Sequence, residues 1–295
     1  MITGFFDQTN DFKDTLSKAK KYKLKQICLR KYDNKPILNL DNNDIKKINS
    51  SLKKENLTID LIDSNIYLDF YSDSFKKAAY DNFSKIITIT NKLNTNNIII
   101  EIGEIINIVE ELEKIKEILT PFIILAKTNN KTIILRTYEL QKNAEIAYLL
   151  KQLNENCLKI EFNPKIILRN NEAPATVYRL FRQEIGAFIA QDENFDKTPE
   201  LLGYGNTDMI NLFKRLKRDK YKNAIIADHG FTYNDIDFKT YKSNIFMRVI
   251  KNEKKRNLER LETFKKRLFK DNSTEAITLS KIEENQIEVL RVVFR

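Results

Sequence analysis

Charged and polar side chains recur in this 295-residue chain at the ends of short apolar runs. Arg30 closes the run 26–30, Asp63 follows 58–62, Glu101 sits late in 97–102, and Arg136 sits late in 132–137, with Glu139 three residues on. Asn163 ends 158–163 with Lys165 just beyond, Gln191 ends 187–191, and Asp228 ends 223–228 with His229, the chain's one histidine, next to it. Carboxylates such as Glu101, Glu139 and Asp228 can take a proton from a carbon or oxygen and return it. A histidine beside an aspartate can act as an oriented base. Neighbours on a strand point to opposite faces, however, so His229 reads equally as a residue packed against a helix. An arginine in an apolar run must be paired, because a bare buried charge is costly. Arg30 and Arg136 therefore read either as a clamp for phosphate or carboxylate groups or as structural bridges to Glu101, Asp63 or Asp228. Glu139 reads also as a charge at a helix N-terminus ahead of Ala144. Gly203 and Gly205 shape a turn or, as a second reading, cradle a phosphate. Cys28 reads as packing inside a strand rather than as a nucleophile.

The elements that carry these residues alternate. Runs at 2–6, 26–30, 58–62, 97–102, 132–137, 158–163, 187–191 and 223–228 are nearly continuous in Ile, Leu and Phe, as in parallel strands covered on both faces. Segments 11–22, 41–53, 74–93, 104–119, 144–153, 175–184, 208–218 and 244–269 carry helical spacing, the fourth stopping at Pro121. Eight strands alternating with eight helices predict an α/β fold, a single (β/α)8 TIM barrel over residues 1–270. In that fold the strand ends on the C-terminal side form the site. Segment 122–127 reads as one more strand, either hairpinned onto 132–137 or ending the crossover. Segments 275–280 and 286–294 read as a C-terminal β-hairpin extension within 271–295. It would cap the barrel or join two copies as a homodimer.

Composition narrows the classes. Hydrophobic residues are 42% and charged residues 31%, which fits a globular protein rather than a disordered one. No apolar run reaches the roughly 20 residues of a membrane span, so no membrane partner is expected. Residues 1–7 lack the basic start of a secretory leader, and two cysteines make no disulfide framework, so the expected compartment is the cytoplasm. The net charge of +10 gathers at 214–222 and 251–270. These read as solvated helix faces, with a nucleic-acid-binding face on the outer helices as the alternative, and nucleic acid is not the expected partner.

Three stretches carry a resemblance. Ile160-Glu161-Phe162-Asn163-Pro164 looks like a strand that usually ends Phe-Asp-Pro. Tyr178–Gly186 with Gln191-Asp192 looks like a helix leading into a strand that ends His-x-Lys-Asp. Leu201-Leu202-Gly203-Tyr204-Gly205-Asn206-Thr207-Asp208 looks like Pro-Leu-Gly-x-Gly-x-x-Asp. Together they resemble the xylose isomerase-like TIM barrel superfamily of sugar phosphate isomerases and epimerases, which also holds apurinic endonucleases. The resemblance implies a small sugar or sugar phosphate as partner. It also implies a divalent metal held by Glu, Asp, His and Glu after strands five to eight. This chain departs at each place: Arg136 stands for the first Glu, Asn163 for the Asp, apolar residues for the histidine, and Asp228 for the last Glu. Asn163 and Asp228 are the ligands left, so no cofactor is certain and no metal is expected. The endonuclease reading fails because it needs several histidines. The expectation is an isomerase- or epimerase-like protein with Glu101, Glu139, Asp228 and His229 as catalytic candidates. The alternative is a pseudoenzyme or redirected barrel that holds an anionic carbohydrate through Arg30, Arg136, Asn163, Lys165 and Gln191.

Overall fold

The computed structural model describes residues 2–7, 10–236, 259, 261–269 and 275–295. Eight parallel strands form its centre: β1 (Ile2–Gly4), β2 (Gln26–Leu29), β3 (Thr58–Leu68), β4 (Asn97–Ile102), β5 (Thr132–Arg136), β6 (Leu158–Phe162), β7 (Ile185–Ala190) and β8 (Ala224–Ala227). Their hydrogen-bonded order is β1-β8-β7-β6-β5-β4-β3-β2, the order of a barrel. At the seam between β1 and β2 the Thr3 hydroxyl reaches across, 3.3 Å from the Gln26 carbonyl and 3.4 Å from Cys28 Sγ. The TIM-barrel expectation is met. Cys28, Leu61, Ile99, Ile134, Ala187, Ile189, Ala224 and Ile226 fill the interior, with Phe5 against them. The barrel is thus a packed core, with its chemistry confined to the strand ends. Cys28 is buried, and burial pushes its thiol well up, which suits the packing reading.

Helices α1 (Phe12–Lys21), α2 (Asn42–Glu55), α3 (Asp73–Lys92), α4 (Ile108–Thr128), α5 (Asn143–Leu153), α6 (Pro164–Arg169), α7 (Pro174–Phe181) and α8 (Met209–Arg218) follow the strands. Asp41 and Asp44 form a capping box at α2, and Asn107 caps α4 through the Val109 and Glu110 amides. An aromatic row binds the outer layer to the sheet. Tyr178 meets Phe162, Phe162 stacks on Phe188 at 5.5 Å, and Phe188 meets Phe213.

Two expected elements are different. Segment 122–127 is not a strand, and the helix does not stop at Pro121: α4 runs on to Thr128. Pro121 is exposed, while Ile115, Leu119, Phe122, Ile123 and Ala126 continue one buried face across it. That burial outweighs the hydrogen bond the proline removes. The C-terminal segment is not a hairpin but a helix, α9 (Leu279–Val293), capped by the Thr278 side chain. Its buried Ile282, Glu283, Gln286, Ile287 and Leu290 recur at helical spacing. Glu283 accepts from Tyr22 at 3.0 Å and pairs with Lys18 of α1, and the Phe294 ring meets Phe213 of α8. α9 thus stands in the outer ring between α8 and α1. The hairpin on which the dimer expectation rested is absent from 275–295. Residues 244–258 of the last expected helix lie outside the described residues; 261–268 are helical.

Candidate active site at the mouth of the barrel

Arg136 is the last residue of β5 and its guanidinium is the centre of the mouth. Nε lies 3.0 Å from Glu161 Oε1, and Nη2 lies 2.8 Å from Glu161 Oε2 and 2.9 Å from Asp63 Oδ2. Backbone irregularities aim both acids. A register shift between Ile160 and Glu161 sets Glu161 opposite the interior residue Ala187. A bulge after Asp63 separates its partner Ile99 from Glu101, the partner of Tyr67. Burial pushes the Glu161 carboxyl above its usual range, with Arg136 pulling against it. Arg136 stays a cation, burial being outweighed by Glu161 and Asp63.

Arg30 makes a second pair. Its Nε and Nη2 reach Asp7 at 2.7 and 2.8 Å, and its guanidinium lies over the Phe5 ring at 4.8 Å. Burial raises the Asp7 carboxyl, but Arg30 overrides it and holds it below the carboxylate range. Both arginines thus meet carboxylates, as the structural-bridge reading holds for Arg136 with Asp63; the partner of Arg30 is Asp7. Asp228 is exposed just past β8, accepts from the Gly230 amide at 3.0 Å, and acts electrostatically on Arg30 and Glu161. Glu101 is half-buried beside Arg136 in the β4–β5 register, and its side chain has neither hydrogen bond nor ion pair among the described residues.

Other candidates lie elsewhere. His229 does not enter the mouth: its Nδ1 accepts from Phe231 N at 2.9 Å, and its electrostatic neighbours include Glu283 of α9 and Lys18 of α1. Burial lowers its basicity, and Nε2 is buried without a hydrogen-bond partner. Glu139 pairs with Arg169 at 3.3 Å, and Arg169 also holds the buried Glu193. Asn163 is a helix cap whose Oδ1 accepts from the Lys165 and Ile166 amides. Lys165 is half-buried on the first turn of α6, with no ion pair among the described residues. Gln191 is buried against Gly230, where φ is +66° and a Cβ would fall 1.9 Å from Gln191 Nε2. A cavity of about 20 Å³, wide enough for a water, lies beside Arg136 and Glu161.

Asp192 explains the glycine loop. Its carboxylate accepts from Gly203 N at 2.8 Å, Gly205 N at 3.1 Å and the Thr207 hydroxyl at 2.7 Å. A Cβ at Gly205 would lie 2.2 Å from Asp192 Oδ1. The amides that could cradle a phosphate already serve a carboxylate, so the turn-shaping reading fits. Asp7, Glu161 and Asp192 escaped the sequence reading. The available signal was their type: an acid within or directly after a buried apolar run needs a partner.

The donor set does not fit a divalent cation. Asn163 is spent on a cap, and Arg136 places a fixed positive charge between the two buried carboxylates. Among the described residues no group of three or more His, Cys, Asp or Glu side chains could hold a metal ion.

No protein-family model matches the chain. No curated protein sequence matches it either. Solved structures do match. D-psicose 3-epimerase with D-tagatose from Clostridium cellulolyticum H10 superposes with a TM-score of 0.68 at 10% identity, covering 99% of this chain and 98% of that one. A probable 3-DHS dehydratase from Bacillus anthracis gives 0.62 at 14% identity over 76% of this chain and 89% of that one. A xylose isomerase-like TIM barrel protein from Mycobacterium smegmatis in complex with magnesium gives 0.60 at 13% identity over 96% and 88%. At these identities the likeness is one of fold. Strand order, interior packing and these superpositions together give the chain the fold of the xylose isomerase-like TIM barrel sugar isomerases and epimerases.

Proposed function

We propose that this chain is an isomerase- or epimerase-like protein that takes a sugar or sugar phosphate at the C-terminal mouth of the barrel. The observation that carries this is the Arg136 guanidinium held between Glu161 and Asp63, with Glu101 beside it. Carboxylates accept from sugar hydroxyls, and a guanidinium donates to a carbonyl oxygen and steadies the negative charge that gathers there. A carboxylate then takes a proton from the carbon next to the carbonyl. Returning it to the former carbonyl carbon, while the proton of the adjacent hydroxyl passes to the former carbonyl oxygen, gives an isomer, and returning a proton to the opposite face of the same carbon gives an epimer. Glu101, without an ion pair among the described residues, serves as the base. Glu161, its carboxyl raised by burial, serves as the second proton carrier. Arg136 supplies the positive charge.

The test is a panel of aldoses, ketoses and their phosphates incubated with the protein and with its Glu101→Gln variant, products read by NMR. Conversion by the parent chain and its loss in the variant support the proposal. Sugar binding without conversion favours the alternative, a barrel that holds a carbohydrate and does not turn it over.

A further inference from the structure

Resting on that sugar reading, we infer that the mouth selects an unphosphorylated sugar and rejects its phosphate. The charge at the strand ends carries this. Arg30 spends two nitrogens on Asp7, and Arg136 spends its fork on Glu161 and Asp63. Lys31 stands 3.8 Å from the same Asp7. Asp228 and Glu101 have no ion pair among the described residues. Among the described residues at these strand ends, five carboxylates therefore face three cations, and the surplus is negative. A phosphate dianion entering this mouth meets guanidiniums already neutralised and two carboxylates that are not. The amides of the Gly203–Thr207 loop offer no refuge, because Asp192 occupies them. Lys165 on the first turn of α6, with no ion pair among the described residues, is the competing anchor for a phosphate. The basic run at 214–222 lies away from the mouth: it includes the last turn of α8, the end of that helix away from its entry from β7. Hydroxyl groups find both partners here, carboxylate oxygens as acceptors and the remaining N–H groups of Arg30 and Arg136 as donors.

The experiment is saturation-transfer NMR and calorimetry on the full chain with matched pairs: D-fructose, D-tagatose and D-xylulose, each against its terminal phosphate. At about 10 mM salt, where the Debye length is roughly 30 Å, each phosphate should bind at least about tenfold more weakly than its parent sugar, and the gap should shrink at about 150 mM. Asp228→Asn should narrow the gap without abolishing sugar binding. A phosphate that binds as tightly as its sugar or tighter, above all one lost in Lys165→Ala, overturns the inference and leaves the sugar reading standing. Binding by neither member of any pair overturns the sugar reading and the inference with it.

Discussion

Glu161→Gln keeps the shape of the side chain at the mouth and removes its charge. Arg136 would then lean on Asp63 alone. Proton transfer by a positioned side chain contributes about 10²–10⁴-fold, so turnover should fall by at least about a hundredfold, while a thermal melt still shows a folded barrel. Gly205→Ala is a test of structure rather than chemistry. The added methyl group meets Asp192 Oδ1 at 2.2 Å and the Glu193 carbonyl at 2.6 Å, so the loop must shift and Tm should drop. Arg30, Arg136, Asp63 and Asp228 were legible because each is a charge at the end of an apolar run. Glu161 was not. A strand buried on both faces has no alternation to say which side an acid takes, and the register shift that turns Glu161 inward belongs to the backbone. His229 reads correctly only as one of two options, because the strand ends just before it and the helix it meets lies more than fifty residues on.

α9 and α4 show how elements were misread. The run Val289–Phe294 is β-branched and apolar, which favours a strand. Its helical character rests on Ile282, Glu283, Gln286, Ile287 and Leu290 sharing a buried face, and two of these, Glu283 and Gln286, are polar. Gln286 donates to the Ala190 and Asp228 carbonyls at 2.6 and 2.9 Å, tying α9 to the ends of β7 and β8. Gln286→Ala leaves both without this donor, so urea unfolding should show a loss of about 1–3 kcal/mol. Pro121 predicted a stop that α4 does not make. Because Pro121 is exposed and interior to the helix, Pro121→Ala should restore a backbone bond and stabilise the chain by about 1–3 kcal/mol, seen as a Tm several degrees higher.

At the scale of the molecule, the eight-fold alternation made the barrel readable, since it is a property of hydrophobic runs rather than of single residues. The charge balance was less readable: a net +10 says little about a mouth where acids outnumber bases. Among the described residues no helix is long and apolar enough to cross a membrane. Stability should respond to pH through His229. Its folded pKa lies below 6.5, the unfolded value, so the unfolded chain binds the proton first. Stability is therefore full above that value and declines as pH falls from 6.5 toward the folded pKa. In His229→Asn, denaturant midpoints measured between pH 7 and pH 5 should lose this slope. The most direct measurement of the central claim is deuterium wash-in. The parent chain, Arg136→Gln and Glu161→Gln are incubated with the same sugars in D₂O, and the C–H signal next to the carbonyl is followed by NMR. Loss of that signal with the parent chain, at least about a hundredfold slower in both variants, is the expected result. Exchange that proceeds equally in all three would contradict a mouth built around Arg136.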